Sequence, residues 1–269
     1  MDGERLTQGN PRREDQEPWI GLQSVQIRPW MLARVLAGIS AGLVVGGAFA
    51  NYAIYNLAPD PEHAIADVLK RFDLGHEPSI PAFYSAIVML AAAAVLWFLG
   101  VYDPHGGRHR RVAWRALSIV MVALAIDEVA MFHEMGTAAM ERLGINSPFH
   151  FSWVVPGGIF TCLIVICFSR LLFSLGRRTR ALIVGSGVLF ISGAIGMEII
   201  AGLIFEAAES EHEALSSTAH VLLQAVEEGL EMLGMALFLC TLLDYVNQTG
   251  LSVWLQRADN DAMEVSGDP

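Results

Sequence analysis

Ionisable side chains stand inside three long apolar segments of this sequence, where they are costly. Seven are carboxylates and two are histidines: Asp127, Glu128, His133, Glu134, Glu198, His220, Glu227, Glu228 and Glu231. One carboxylate at the centre of a membrane-spanning helix costs about 2.5–3.5 kcal/mol, so several of them need compensation by protons or bound cations. No lysine or arginine lies near the middle of these segments. The residues therefore predict a functional site within a membrane.

Helical spacing groups these residues on shared faces. His220, Gln224, Glu227 and Glu231 follow one another at intervals of four, three and four residues, which predicts one stripe of an α-helix. The same reasoning predicts two further stripes: Asp127, Met131 and Glu134, and Gly187, Ile191, Ala194 and Glu198. At about 1.5 Å per residue, the acids of the three helices fall at two matching depths, in the middle and the outer half of the bilayer. We therefore expect a single site.

A metal site is the hypothesis we favour. Carboxylates and imidazoles on facing helices are the ligands of di-iron and di-manganese bundles, although the Glu-x-x-His pairs of those proteins do not occur on these helices. A carboxylate-rich set favours iron or manganese, with zinc less suited. The centre would be mononuclear or binuclear, and an oxidoreductase is one use of such a centre. Its predicted ligands are Glu128, His133, Glu134, Glu198, Glu227, Glu228 and Glu231. Asp127, His150 and His220 would orient these ligands or move protons.

Three other interpretations use the same residues. Acids in a membrane interior also form proton or cation pathways. Protonated carboxyl groups can hold helices together by hydrogen bonds. A non-catalytic subunit of a membrane complex could use them to dock a partner helix or a lipid. Catalytic residues and a substrate do not follow from the sequence.

The elements that carry these residues are predicted from composition and hydropathy. Of 269 residues, 54% are hydrophobic and 17% charged, whereas a soluble domain carries about 25% charged residues. Apolar runs long enough to span a bilayer, about 20 residues, recur at about 31–55, 83–102, 112–135, 151–175, 181–205 and 217–245. We predict an all-α, polytopic membrane protein. Its six transmembrane helices occupy 30–246, between a polar cytoplasmic tail at 1–29 and an acidic cytoplasmic tail at 247–269.

Arginine placement predicts the orientation, and the net charge limits the partners. Arginines cluster before the first span and in the second and fourth connections, while the other connections are mostly acidic or neutral. The positive-inside rule then places both termini in the cytoplasm. A net charge of −11 excludes a nucleic acid as partner. The expected partner is the lipid bilayer, with another membrane protein or a second copy as a further option.

Several short strings, taken together, are similar to a widespread type of uncharacterised bacterial multi-pass membrane protein. They include Phe72-Asp73-Leu74, Asp127-Glu128 with His133-Glu134, Gly196-Met197-Glu198, and Glu227-Glu228-Gly229-Leu230-Glu231-Met232-Leu233-Gly234. Written as a pattern, the last three read DExxxxHE, GxE and EExxEMxG. The resemblance covers about 72–245. It implies a six-helix fold in the bacterial inner (cytoplasmic) membrane and brings no activity with it.

Overall fold

The structure, a computed structural model, describes residues 23–24, 28–57, 64–75, 78–142, 150–251 and 254–255. Within these ranges it describes only the backbone of Gln23, Ser24, Ala64, Glu134, Thr137, Ala138, Glu141, Trp254 and Leu255. The chain divides into two compact units. One consists of Met1–Gln26 and Ser252–Pro269; in it, strand β1 (Gln23–Ser24) pairs antiparallel with strand β2 (Trp254–Leu255). The other unit, Ile27–Leu251, is helical in its described residues and contains every residue discussed below.

The helices of this larger unit follow the apolar runs except the third, which is divided between two helices. In chain order they are α1 (Pro29–Leu57), α2 (Ala64–Lys70), α3 (Ile80–Tyr102), α4 (Arg108–Ala130), α5 (Phe132–Arg142), α6 (Val154–Phe173), α7 (Arg177–Ala207), α8 (Glu211–Ser216) and α9 (Thr218–Gln248). Two stretches have π-helical geometry, Ala53–Leu57 at the end of α1 and Ser192–Met197 within α7. Serine side chains cap the first turns of α3, α8 and α9 by accepting backbone N–H bonds.

Among the described residues, five helices are long and apolar enough to cross a membrane: α1, α3, α6, α7 and α9. The all-helical prediction is confirmed for this unit. Helix α4, on the predicted third span, is not among the five. It has 23 residues, but Arg115, Asp127 and Glu128 fall within its apolar part.

The third apolar run does not form one helix to residue 135, and that prediction is wrong. Helix α4 ends at Ala130, Met131 adopts a left-handed conformation with φ 53°, and α5 begins at once. The predicted stripe of Asp127, Met131 and Glu134 is therefore interrupted. The π segment of α7 likewise shifts the helical register ahead of Glu198, because each π turn holds more residues than an α turn.

Helix α9 is the centre of the bundle. It packs against α1, α3 and α7, while α4 packs along α3. The core between them buries large apolar side chains such as Met89, Leu96, Trp114 and Leu242. Helix α6 contacts only α4 and the π segment of α7 to any extent among the described elements. The bundle is thus tight around α9 and open beside α6.

A buried ion pair links the helices at one end of the bundle, here called the Asp103 end. The Asp103 carboxylate is 0% exposed. It accepts hydrogen bonds from Arg110 Nε at 2.7 Å and from Trp114 Nε1 at 2.9 Å. Arg110 also donates to the Tyr245 hydroxyl on α9 and, at 3.3 Å, to the carbonyl oxygen of Ser174 after α6. These bonds join α3, α4, α6 and α9, and sequence reasoning did not find them.

Candidate functional site

A polar chamber of about 760 Å³ opens at the other end of the bundle, where α6 begins. Several predicted site residues line it, on α5, α7, α9 and the segment before α6: His133, His150, Glu198, His220, Glu227 and Glu228. Glu209 and Glu211 lie on its wall between α7 and α9. The volume falls in the range of small-molecule sites, about 300–1,000 Å³. The chamber therefore holds space for more than a single ion.

Two of the acids meet on the wall of the chamber. The carboxyl groups of Glu198 on α7 and Glu227 on α9 lie next to each other. Trp153, at the start of α6, donates from its indole Nε1 to Glu198 Oε1 at 3.0 Å. Two ionised carboxylates in contact repel each other. The pair is therefore stable only with a proton or a cation between the two groups.

A glycine allows this meeting. A Cβ atom at Gly193 would lie 2.7 Å from the backbone carbonyl oxygen of Glu227 and 2.7 Å from Cγ of Glu231. Only a residue without a side chain lets α7 approach α9 so closely. Gly193 lies in the π segment that directly precedes Glu198, and π segments within helices are frequent at functional sites.

The break at Met131 creates a second element of the site, a carboxylate–histidine pair. Asp127, in the last turn of α4, accepts a hydrogen bond from the backbone N–H of His133 at 3.0 Å. Its other oxygen lies 3.0 Å from His133 Nδ1. A carboxylate on one ring nitrogen fixes the orientation of an imidazole and raises the basicity of its other nitrogen. Held by Asp127 in this way, His133 is suited to bind a metal or to carry a proton.

Two further histidines flank an aromatic ring at the chamber wall. Phe205 stacks on His150 with ring centroids 5.3 Å apart and meets His220 edge to face at 5.4 Å. Gly202 makes room for His150, since a Cβ there would lie 2.9 Å from His150 Cβ. His220 is 6% exposed, and its Nδ1 has no hydrogen-bond partner among the described residues. A buried ring nitrogen without such a partner is available to a ligand in the chamber.

A buried amide and carboxylate support the chamber from the side of α1. Asn51 Nδ2 donates to Asp73 Oδ1 at 2.9 Å and to Gln224 Oε1 at 3.1 Å. Both Asn51 and Asp73 are 2% exposed. This network positions Gln224, a lining residue, and it was missed by sequence reasoning. The signal was a lone asparagine within the first apolar run.

Two further predicted ligands, Glu128 and Glu231, are not among the described residues that line the chamber. Glu128 lies beside Ser85 of α3 and near His133, and Glu231 lies against Gly193. The side chain of Glu134 lies outside the described residues. Within the described part of the chain, no three His, Cys, Asp or Glu side chains are arranged to hold a metal ion. The predicted metal, its identity and its ligands stay a prediction.

The chain belongs to the family of a domain of unknown function, DUF8692, whose model matches residues 31–246. The match includes every residue of the chamber and confirms the resemblance to an uncharacterised family. The bacterial source and the DExxxxHE pattern stay predictions. No curated protein and no solved structure matches the chain.

Proposed function

We propose that this protein is a membrane-embedded cation-binding protein whose chamber holds a divalent metal ion between Glu198 and Glu227. The contact of these two carboxyl groups on the wall of an open polar chamber is the observation that carries the proposal. Oxygen ligands of this kind favour manganese or iron over copper and zinc. Because no three-ligand set is already formed by the described residues, we expect water to complete the coordination shell, as it does for small hard cations.

The neighbouring side chains give the site its chemistry. Glu228 and His133 line the same chamber and are the residues we expect to join the shell, as a single or a binuclear centre. Asp127 holds His133 in place, and His220 offers a second imidazole on the chamber wall. The free volume beside the ion would admit a small substrate. We therefore propose that the metal site carries out redox or hydrolytic chemistry, and we favour an oxidoreductase.

We further propose that six helices cross the membrane and that the chamber faces the outer side. Helix α4, with 23 residues, measures roughly 35 Å at about 1.5 Å per residue and packs along a spanning neighbour. Arginines cluster at the Asp103 end, on α4 and around the α6–α7 connection, so this end lies in the cytoplasm. In a bacterium the membrane would be the inner membrane. Glu209 and Glu211 would then attract cations to the outer entrance.

Equilibrium Mn²⁺ binding to the detergent-purified protein, with elemental analysis of the bound metal, tests the proposal. Glu227→Gln should weaken Mn²⁺ binding by at least about 100-fold, since even outer partners of metal ligands are worth about 10–100-fold. Glu206→Gln is the matched control, because Glu206 is an exposed acid at the end of α7 and is not among the described residues that line the chamber. Equal Mn²⁺ affinity of the two folded variants would refute the proposal.

A proton or cation pathway is the second candidate, because the Glu198–Glu227 contact can equally hold a proton. Toward the Asp103 end, however, α9 buries Met235, Phe238 and Leu242. An ion leaving the chamber in that direction would have to cross this apolar layer. Proton or cation flux into proteoliposomes, lost in Glu227→Gln and present without bound metal, would favour the pathway.

A further inference from the structure

A second cavity, of about 370 Å³, lies between α6 and the helices α4, α7 and α9. It occupies the half of the bundle toward the Asp103 end and is here called the crevice. Its walls are apolar and aromatic, with Leu124, Phe160, Phe168 and Phe190 among them. An apolar space of this kind does not hold water. Inside a bilayer, hydrocarbon must fill it or its walls lose their contacts.

A glycine on α7 keeps the crevice open. A Cβ atom at Gly187 would meet no atom of the described residues within 4 Å, and Gly187 lines the crevice. Gly193, six residues further on in the π segment, is crowded by α9 instead. Gly187 belongs to the predicted stripe that includes Glu198, yet it borders the crevice and not a neighbouring helix. A missing side chain at the wall of an apolar cavity indicates room for an occupant.

The mouth of the crevice is positively charged. The crevice reaches Leu175 and Ile183 at the Asp103 end. There Arg180, which is partly exposed, donates from Nη2 to the carbonyl oxygen of Leu175 at 3.1 Å. Arg177 and Arg178 are exposed beside it, and Arg178 pairs with Asp244 at 3.7 Å. Three guanidinium groups against one carboxylate leave a positive mouth, and guanidinium groups suit phosphate oxygens.

We propose that the crevice binds one acyl chain of an anionic phospholipid from the leaflet at the Asp103 end, with the lipid phosphate on Arg180. The apolar walls of the crevice complement the acyl chain, and the arginines at its mouth complement the negative charge of the lipid headgroup. The bound lipid would attach α6 to the bundle on the side where α6 lacks protein contacts. This site is separate from the chamber and does not rest on the proposed metal.

Native mass spectrometry of the purified protein in mixed micelles tests this proposal, with phosphatidylglycerol and phosphatidylethanolamine as the two probes. The wild type should retain a single phosphatidylglycerol in preference to phosphatidylethanolamine. Gly187→Leu should lose it, because the new side chain fills the crevice. Gly185→Leu is the matched control, since a Cβ there also meets nothing within 4 Å but does not lie on the described lining. Arg180→Gln should keep a lipid but lose the preference for the anionic one.

The proposal is overturned if Gly187→Leu retains phosphatidylglycerol as well as Gly185→Leu does. It is also overturned if the wild type binds neither lipid, or binds both equally. Should Gly187→Leu fail to fold, Thr161→Leu fills the crevice from α6, with Cys162→Leu, on an exposed neighbour, as its control. Retention of the anionic lipid by a folded Thr161→Leu would equally refute the proposal. Mn²⁺ binding should be unchanged in all of these folded variants.

Discussion

Replacing Gly193 by alanine should separate α7 from α9 at the place where Glu198 meets Glu227. The new Cβ would lie 2.7 Å from the backbone carbonyl oxygen of Glu227, and a helix backbone cannot rotate away as a side chain can. Overpacking of this kind costs about 1–3 kcal/mol. Replacing a glycine within a helix by alanine stabilises the fold by about 0.5–1 kcal/mol. We therefore expect a small net destabilisation and a clear loss of Mn²⁺ affinity.

Gly196→Ala is the control for this prediction, since Gly196 lies in the same π segment and its Cβ would come no closer than 4.0 Å to another atom. The difference between the two variants is then the overpacking cost. At about 2–4 °C per kcal/mol for a chain of this size, that cost corresponds to roughly 2–12 °C in Tm. Thermal unfolding in detergent, followed by tryptophan fluorescence, measures it. Equal Tm and equal Mn²⁺ affinity of the two variants would show that the close approach at Gly193 does not form the carboxyl pair.

Three further changes probe the rest of the structure. Asp103→Ala should reduce the free energy of unfolding by about 3–5 kcal/mol, because Arg110 loses its buried ion partner; a Tm equal to the wild type's would contradict this, and Mn²⁺ affinity should not change. Asp127→Ala should weaken Mn²⁺ binding about 10–100-fold by releasing His133, so unchanged binding would remove the pair from the site. Asn51→Leu should reduce the free energy of unfolding by about 1–3 kcal/mol, since a buried carboxylate loses a hydrogen-bond donor. Urea titration of the purified protein measures this, and an unchanged free energy of unfolding would contradict a stabilising role of the network.

The apolar helices and the α9 face of the chamber could be predicted from the sequence. Helix α9 runs without interruption from Thr218 to Gln248, so regular spacing brings His220, Gln224 and Glu227 to one face, and all three line the chamber. Glu231, one turn further along, lies against Gly193 and not on that wall. Regular spacing finds a shared face, but it does not show where a neighbouring helix covers that face.

The breaks in α4 and α7 could not be predicted from periodicity. Met131 adopts its left-handed conformation where Asp127 bonds to His133 across the turn, and nothing in the run of apolar residues marks such a turn. The π segment of α7 lies where Gly193 comes into close contact with α9. Both breaks coincide with particular local contacts, and both lie beside the site.

Anomalous X-ray scattering from crystals of the protein soaked in Mn²⁺ tests the central claim most directly. We predict a manganese peak within coordinating distance of both Glu198 and Glu227, and no such peak in Glu227→Gln. An ordered pair of these side chains without manganese between them at saturating Mn²⁺ would contradict the proposed metal site.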